Sequence, residues 1–143
     1  MARNVIVIRR SSDPREEGGI VSVGAIRPGM LVEPTSTGHY KAHDSAGAIA
    51  APIFAREQHE NDGHGVDDLI ALGDNITVVF AQLGDVINCV TADTIAKDGF
   101  VESAGDGTVR AYGSGYRIGY ARAASDLSGT VGRVEVVIAP VGV

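Results

Sequence analysis

The chain has 143 residues, of which 44% are hydrophobic and 21% charged, and its net charge is −6. This composition is typical of one soluble globular domain and excludes wholesale disorder, while the surplus of Asp and Glu argues against a nucleic-acid partner. No apolar run reaches the length of a membrane span, and a single cysteine excludes an intrachain disulfide.

The N-terminal segment joins an apolar run to positive charge. Residues 5–8 are Val-Ile-Val-Ile, with arginines close by, and the polar stretch 11–19 that follows contains Pro14 and a pair of glycines. We predict an arm and connector over residues 1–19, followed by one β-rich domain over residues 20–143, because such an apolar tip is expected to dock rather than stay in solvent. The predicted partner-contact residues are Val5, Ile6, Val7, Ile8, Arg9 and Arg10. The alternative is that residues 5–8 form an edge strand of the domain's own sheet.

The rest of the chain is rich in glycine and poor in aromatic residues. It has 19 Gly and no Trp, and its apolar runs are short and separated by turn residues. This pattern predicts an all-β fold, a small β-barrel or β-tulip-like domain, rather than a helix bundle. The predicted strands are residues 20–23, 30–33, 53–56, 75–81, 86–90, 100–103, 117–123 and 133–138.

The segment 57–68 is the main candidate for metal chemistry. It holds five carboxylates and two histidines without a Lys or Arg, which favours a solvated loop. His59 and His64 are five residues apart, whereas the zinc-protease helix needs a spacing of four. We therefore predict no metal and no cofactor. A small metal- or ligand-binding β-barrel that uses this loop remains the alternative.

Three Gly-Asp pairs and one cysteine have structural explanations. At residues 73–74, 84–85 and 105–106 we predict turns, in which glycine takes the left-handed conformation and Asp bonds to nearby backbone. Cys89 lies between apolar neighbours and is expected to be a buried, unreactive thiol. The chain also lacks a phosphate-binding loop and a nucleophile elbow, and we expect that it is not an enzyme.

The order of the turn motifs resembles a known family. The chain reads Pro-Gly-Met-Leu-Val-Glu at 28–33, Pro-Ile-Phe-Ala-Arg-Glu at 52–57, Gly-His-Gly-Val-Asp-Asp at 63–68 and Phe-Val-Glu-Ser-Ala-Gly-Asp-Gly-Thr-Val at 100–109. In this order the motifs resemble the small decoration (cement) proteins that coat the heads of tailed bacteriophages, over residues 20–138. One departure is Lys97-Asp98-Gly99, where such sequences often have Lys-Gly-Asp, which puts the geometry of that turn in question.

The resemblance implies a capsid decoration protein that binds the outer surface of a mature phage head and stabilises it against internal DNA pressure. The implied partners are the major capsid protein of a tailed phage and further copies of this chain, as a homotrimer or, alternatively, a dimer. The implied location is the virion, after synthesis in the bacterial cytoplasm, with no direct contact to nucleic acid or membrane. A phage tail or fibre accessory module is a further alternative.

Overall fold

A computed structural model describes residues 5–9, 15–57, 65–126 and 130–140. Within these ranges the chain forms β-strands and no helix, so no helix there is long and apolar enough to cross a membrane. The strands are β1 (Val7–Arg9), β2 (Arg15–Val23), β3 (Val32–Ser36), β4 (His39–Ala42), β5 (Ile53–Arg56), β6 (Asn75–Phe80), β7 (Val86–Thr91), β8 (Thr94–Ile95), β9 (Phe100–Ser103), β10 (Val109–Ala111), β11 (Gly119–Ala121), β12 (Ser125–Asp126) and β13 (Gly132–Ile138). The predicted all-β class is confirmed.

Five strands close into a barrel. They follow the order β7-β10-β9-β11-β13, and β13 then pairs with β7 to complete the ring. The closing ladder is antiparallel and runs from the pair Thr91–Gly132 to the pair Val86–Val137. On the other edge of β7, β10 pairs only at Thr91, which leaves room for β1 to pair at residues 86 and 87. The predicted small β-barrel is therefore confirmed.

The second sheet has the order β3-β4-β2-β6-β5. Its two outer strands approach each other through an antiparallel bridge between Leu31 and Phe54. Two further backbone bonds extend this contact, from the N–H of Gly29 to the carbonyl of Ala55 (2.8 Å) and from the N–H of Ala55 to the carbonyl of Met30 (3.0 Å). The second sheet is therefore strongly curved, so that its two outer strands come within hydrogen-bonding distance of each other.

Strands β5 and β6 form a wall between two hydrophobic cores. Successive side chains of a strand point to opposite faces, so a strand with buried residues at consecutive positions must be covered on both sides. In β5, Phe54 belongs to the barrel core, while Ile53 and Ala55 belong to the core of the second sheet. In β6, Val79 and Val78 divide in the same way. The two sheets therefore pack as one body.

The second sheet starts earlier in the chain than predicted. Strand β2 begins at Arg15 rather than residue 20, and Gly18 and Gly19 pair with Thr77 and Ile76 of β6. The predicted boundary at residue 19 thus lies inside a strand. A pair of glycines suggested a connector, but at Gly19 a Cβ atom would lie 2.7 Å from the ring of Tyr40. Glycine is needed there because this aromatic ring packs against the backbone.

The Gly-Asp turns have the predicted backbone conformation. Gly73, Gly84 and Gly105 have φ values of 87°, 91° and 92°, in the left-handed region. At the turn 97–99, however, the left-handed residue is Asp98, with φ of 65°, and Gly99 is not among the positive-φ residues. The exchange of Gly and Asp in this turn therefore places a side chain where glycine is favoured.

Candidate functional site

Residues 5–9 of the predicted arm lie along the barrel, whereas residues 15–19 belong to β2 of the second sheet. Ile6 is fully buried; its N–H donates to Oε2 of Glu57 (2.7 Å) and its carbonyl accepts from the N–H of Asn88 (2.7 Å). Val7 is the register partner of Ile87 in β7. This part of the chain is therefore an edge strand of the domain's own sheet, which was the alternative to the predicted arm. Ile6 packs in the chain's own core and is not accessible to a partner.

The other predicted contact residues divide between surface and undescribed positions. Val5 is 44% exposed, and Val7 and Ile8 are half-buried. The side chain of Arg9, and Arg10 as a whole, lie outside the described residues, as do residues 1–4 and 11–14. A contact between this segment and another molecule stays a prediction. Among the described side chains, Val5, Val7 and Ile8 are the ones that could make it.

A groove runs beside this edge strand. It has a volume of about 220 Å³ and is lined by Val5, Val7, Ile8, Arg56 and Glu57. The buried carboxylate of Glu57 anchors one wall, because it accepts both the Ile6 N–H and the Arg56 Nε–H (2.9 Å). Arg56 also pairs with Glu16 of β2. A groove beside an edge strand, lined by three apolar side chains and the Arg56–Glu57 ion pair, suits an extended segment of a protein partner.

The metal alternative has limited support. Of the segment 57–68, residues 58–64, including His59 and His64, lie outside the described residues. Glu57, the first carboxylate of that segment, is already occupied by Ile6 and Arg56. Across the parts of the chain that are described, no three His, Cys, Asp or Glu side chains come close enough to hold a metal ion.

A Ser-His-Glu array lies between the two sheets. Nδ1 of His43 is 2.6 Å from Oγ of Ser103, and Nε2 of His43 is 3.8 Å from a carboxylate oxygen of Glu33. A catalytic serine must be reachable by its substrate, whereas Ser103 has no exposed surface and also accepts the N–H of Gly105 (3.1 Å). The buried hydrogen bond between His43 and Ser103 therefore links the end of β4 to β9. Cys89 is also fully buried, as predicted, and burial raises the pKa of its thiol far above the usual range.

The outer wall of the barrel carries a second candidate surface, which the sequence analysis missed. Phe100 and Tyr112 are 44% and 40% exposed, and their rings meet edge to face at 6.4 Å between centroids. The guanidinium of Arg117 lies over the Phe100 ring, 4.0 Å from its centroid. Tyr120 is the cross-strand partner of Phe100, so the two side chains share the outer face. We call Phe100, Tyr112, Arg117 and Tyr120 the aromatic–arginine patch.

A buried carboxylate holds the loop that carries this patch. Glu102 is 2% exposed; its Oε1 accepts the N–H groups of Gly113 (2.8 Å) and Gly115 (3.0 Å). Its Oε2 accepts Nε–H (3.0 Å) and Nη2–H (2.7 Å) of Arg110. Burial alone would raise the pKa of Glu102, but the Gly113 amide, the Arg110 guanidinium and the Gly115 amide outweigh it, so the pKa lies below its ordinary value. Glu102 is therefore an ionised anchor for residues 110–115.

One sequence signal could have indicated the patch. Residues 107–125 contain three Arg and three Tyr and no Asp or Glu, in a chain whose net charge is −6. Arginine and tyrosine are enriched in the centres of protein interfaces. The stretch is interrupted by glycines and its pattern indicates turns. Phe100 of β9, Tyr112 just after β10 and Tyr120 of β11 are brought together by a strand register that only the folded chain reveals.

Comparison with known proteins identifies a related fold. No protein-family model matches the chain, and no curated protein matches it. Among solved structures, the chain is similar to one described as "The crystal structure of head fiber gp8.5 N base in bacteriophage phi29". The TM-score is 0.59 at 15% sequence identity, and the match covers 89% of this chain and 95% of that chain. At this identity the likeness shows the fold, which the two chains share over nearly their whole lengths.

Proposed function

We propose that the chain is a structural protein of a phage head, which decorates the outer surface of the mature capsid as a homotrimer and stabilises it. The observation that carries the proposal is the fold likeness to the base of a phage head fiber, over 89% of this chain. The ordered turn motifs of a decoration protein, found independently in the sequence, point the same way. A dimer remains the alternative assembly, and we propose no catalytic role.

The proposed mechanism is preferential binding. A protein that binds the expanded shell, and not the unexpanded or ruptured one, stabilises it by about 2.7 kcal/mol per site when its concentration is 100 times Kd. An oligomer that contacts several capsid subunits gains further through effective concentration. A module of two packed β-layers suits this role because it presents contact residues on fixed strands, at little cost in conformational entropy on binding.

The test is electron microscopy of the purified protein mixed with expanded and unexpanded capsids of a tailed phage that carries this gene. We expect added density on the outside of expanded shells, repeated on threefold positions or, for the dimer, on twofold positions. Expanded capsids without added density would refute the proposal. Density confined to the tail would favour the tail accessory alternative, and density at the foot of a projecting fibre would favour the fibre alternative.

The contribution of the N-terminal segment needs surface substitutions. Deleting residues 1–17 would also remove Ile6 from the core, so loss of binding could reflect unfolding. Val5→Asp instead changes a 44% exposed side chain beside the groove, and we expect reduced capsid occupancy with an unchanged thermal midpoint. Leu72→Asp, at a 63% exposed position on another turn, is the matched control and should decorate normally. Equal occupancy for both variants would exclude Val5 from the capsid contact.

A further inference from the structure

The aromatic–arginine patch exposes aromatic side chains in a chain that has few of them. There are three Phe and four Tyr and no Trp, so aromatic side chains are scarce. Phe54 and Tyr40 are buried, as expected for a small core, yet Phe100 and Tyr112 are both at least 40% exposed and in contact with each other. Adjacent exposed aromatics beside an arginine are typical of the centre of a protein–protein interface.

The loop that presents the patch is already ordered. The four hydrogen bonds to Glu102 fix residues 110–115 from below, and the N–H of Tyr116 donates to the carbonyl of Gly47 (2.9 Å) on the neighbouring turn. The N–H of Tyr112 donates to the carbonyl of Phe100 (2.9 Å), which fixes the two aromatic residues relative to each other. A surface held in this way loses little freedom on binding, and that favours affinity.

The charge of the patch indicates the chemistry of its partner. Arg117 has no carboxylate partner among the residues the structure describes; its guanidinium lies over an aromatic ring instead. Glu102, which lies two residues after Phe100 on β9, is fully engaged by Arg110 and two glycine amides. A complementary surface must therefore bring its own carboxylates, and this chain, with 18 Asp and Glu against 12 Lys and Arg, carries a surplus of them.

We propose that a second copy of this chain covers the aromatic–arginine patch, with carboxylates of that copy facing Arg117. The contact is head-to-tail. A twofold contact of patch against patch would place Arg117 against its own counterpart, which like charges disfavour. A head-to-tail contact puts the patch against a different face of the second copy, where carboxylates can meet Arg117. When the rotation between copies closes, its repetition gives a ring such as a trimer. The inference rests on the homo-oligomer of the proposed function and assigns the surface that builds it.

The experiment measures the mass of the full-length chain by size-exclusion chromatography with light scattering, over a range of concentrations. We expect a trimer for the wild type. Phe100→Ala and Arg117→Glu should each raise the dissociation constant of assembly at least about tenfold, as expected for interface hot spots. Leu72→Ala, at an exposed apolar position on another turn, is the control and should assemble like the wild type. In ~1 M salt the Debye length is only about 3 Å, so the attraction between Arg117 and the carboxylates is screened and wild-type assembly should weaken.

Each other outcome overturns the inference. If the wild type is monomeric at every concentration, it has no such contact in solution. If this monomer also binds poly-glutamate through the patch, the partner is an external acidic protein. If both variants assemble with the same dissociation constant as the wild type, the oligomer uses another surface. If the wild type is a dimer that Phe100→Ala weakens and Arg117→Glu does not, the contact is the twofold one. Circular dichroism of both variants verifies that they are folded. Because no capsid is present, failure here is distinct from failure of capsid binding.

Discussion

Replacing Glu102 by Gln tests whether one carboxylate organises the exposed loop. Gln has the same shape, but its NH2 group must face either the Arg110 guanidinium or the amides of Gly113 and Gly115, which are all donors. Two hydrogen bonds to a charged group are lost, at about 1.5–3 kcal/mol each. Because the Arg110 side chain is 43% exposed, solvent screens its share. We expect a loss of about 2–4 kcal/mol in the free energy of unfolding.

The thermal midpoint gives a direct measurement. An unfolding entropy of about 2.1 cal/mol/K per residue corresponds to roughly 0.3 kcal/mol/K for 143 residues, so the midpoint should fall by about 7–13 °C. Asp44→Asn is the matched control, since it makes the same acid-to-amide change at an exposed carboxylate that pairs with Lys41, and its midpoint should stay close to that of the wild type. Equal midpoints for the Glu102 variant and the wild type would refute the role of Glu102.

The effect should depend on pH in one direction. Folding lowers the pKa of Glu102, so its stabilisation is complete above the carboxyl pKa of the unfolded chain, about 4.3, and is lost as the pH falls through the lower folded value. The difference between wild type and Glu102→Gln should therefore shrink below about pH 4. Amide hydrogen exchange at Gly113 and Gly115 should speed up in the variant at neutral pH. A difference in stability that is the same at every pH would contradict the ionised anchor.

Three further predictions concern the strands and turns. Asp98→Gly should raise the free energy of unfolding by about 0.5–1 kcal/mol over the wild type, because the left-handed φ of 65° favours glycine. Chemical denaturation that shows no gain over the wild type would contradict this. Ile6→Ala should lower it by about 2–5 kcal/mol because Ile6 is fully buried, whereas Val5→Ala should have little effect; equal values for the two would mean that this segment is not part of the core. The Cys89 thiol should react with a thiol reagent such as Ellman's only after unfolding, because burial raises its pKa and blocks access; rapid labelling of the native protein at pH ~8 would show an open path to it.

Much of the fold could be predicted because its signals are local. Strands β5 and β6 are mainly apolar, and β13 opens with alternating charged and apolar residues. The glycines before Asp74, Asp85 and Asp106 have the expected left-handed conformation. Cys89 is buried as its neighbours suggested. In each case a property of a few adjacent residues determines the local structure.

The rest depends on contacts between distant parts of the chain. Residues 15–19 are polar and contain two glycines, yet they form a strand because β6 supplies a complete ladder and Tyr40 covers Gly19. Strand β4 is not among the predicted strand ranges, yet it is paired on both edges, by β2 and β3. The candidate site escaped prediction for the same reason, since Phe100, Tyr112 and Arg117 become neighbours only through the register of β9 with β10 and β11.

The ring closure of the barrel has a consequence for biosynthesis. Strand β13 pairs with both β7 and β11, so the ring cannot form until the ribosome has released residues 132–138, long after β7 has emerged. Until then one edge of β7 and the inner face of the barrel are exposed, and contacts between such distant segments make folding slow. During this interval a nascent chain is open to pairing with its neighbours on a polysome. We therefore expect soluble yield to depend on expression level, with weaker induction, and so fewer unfinished chains at one time, giving more folded protein.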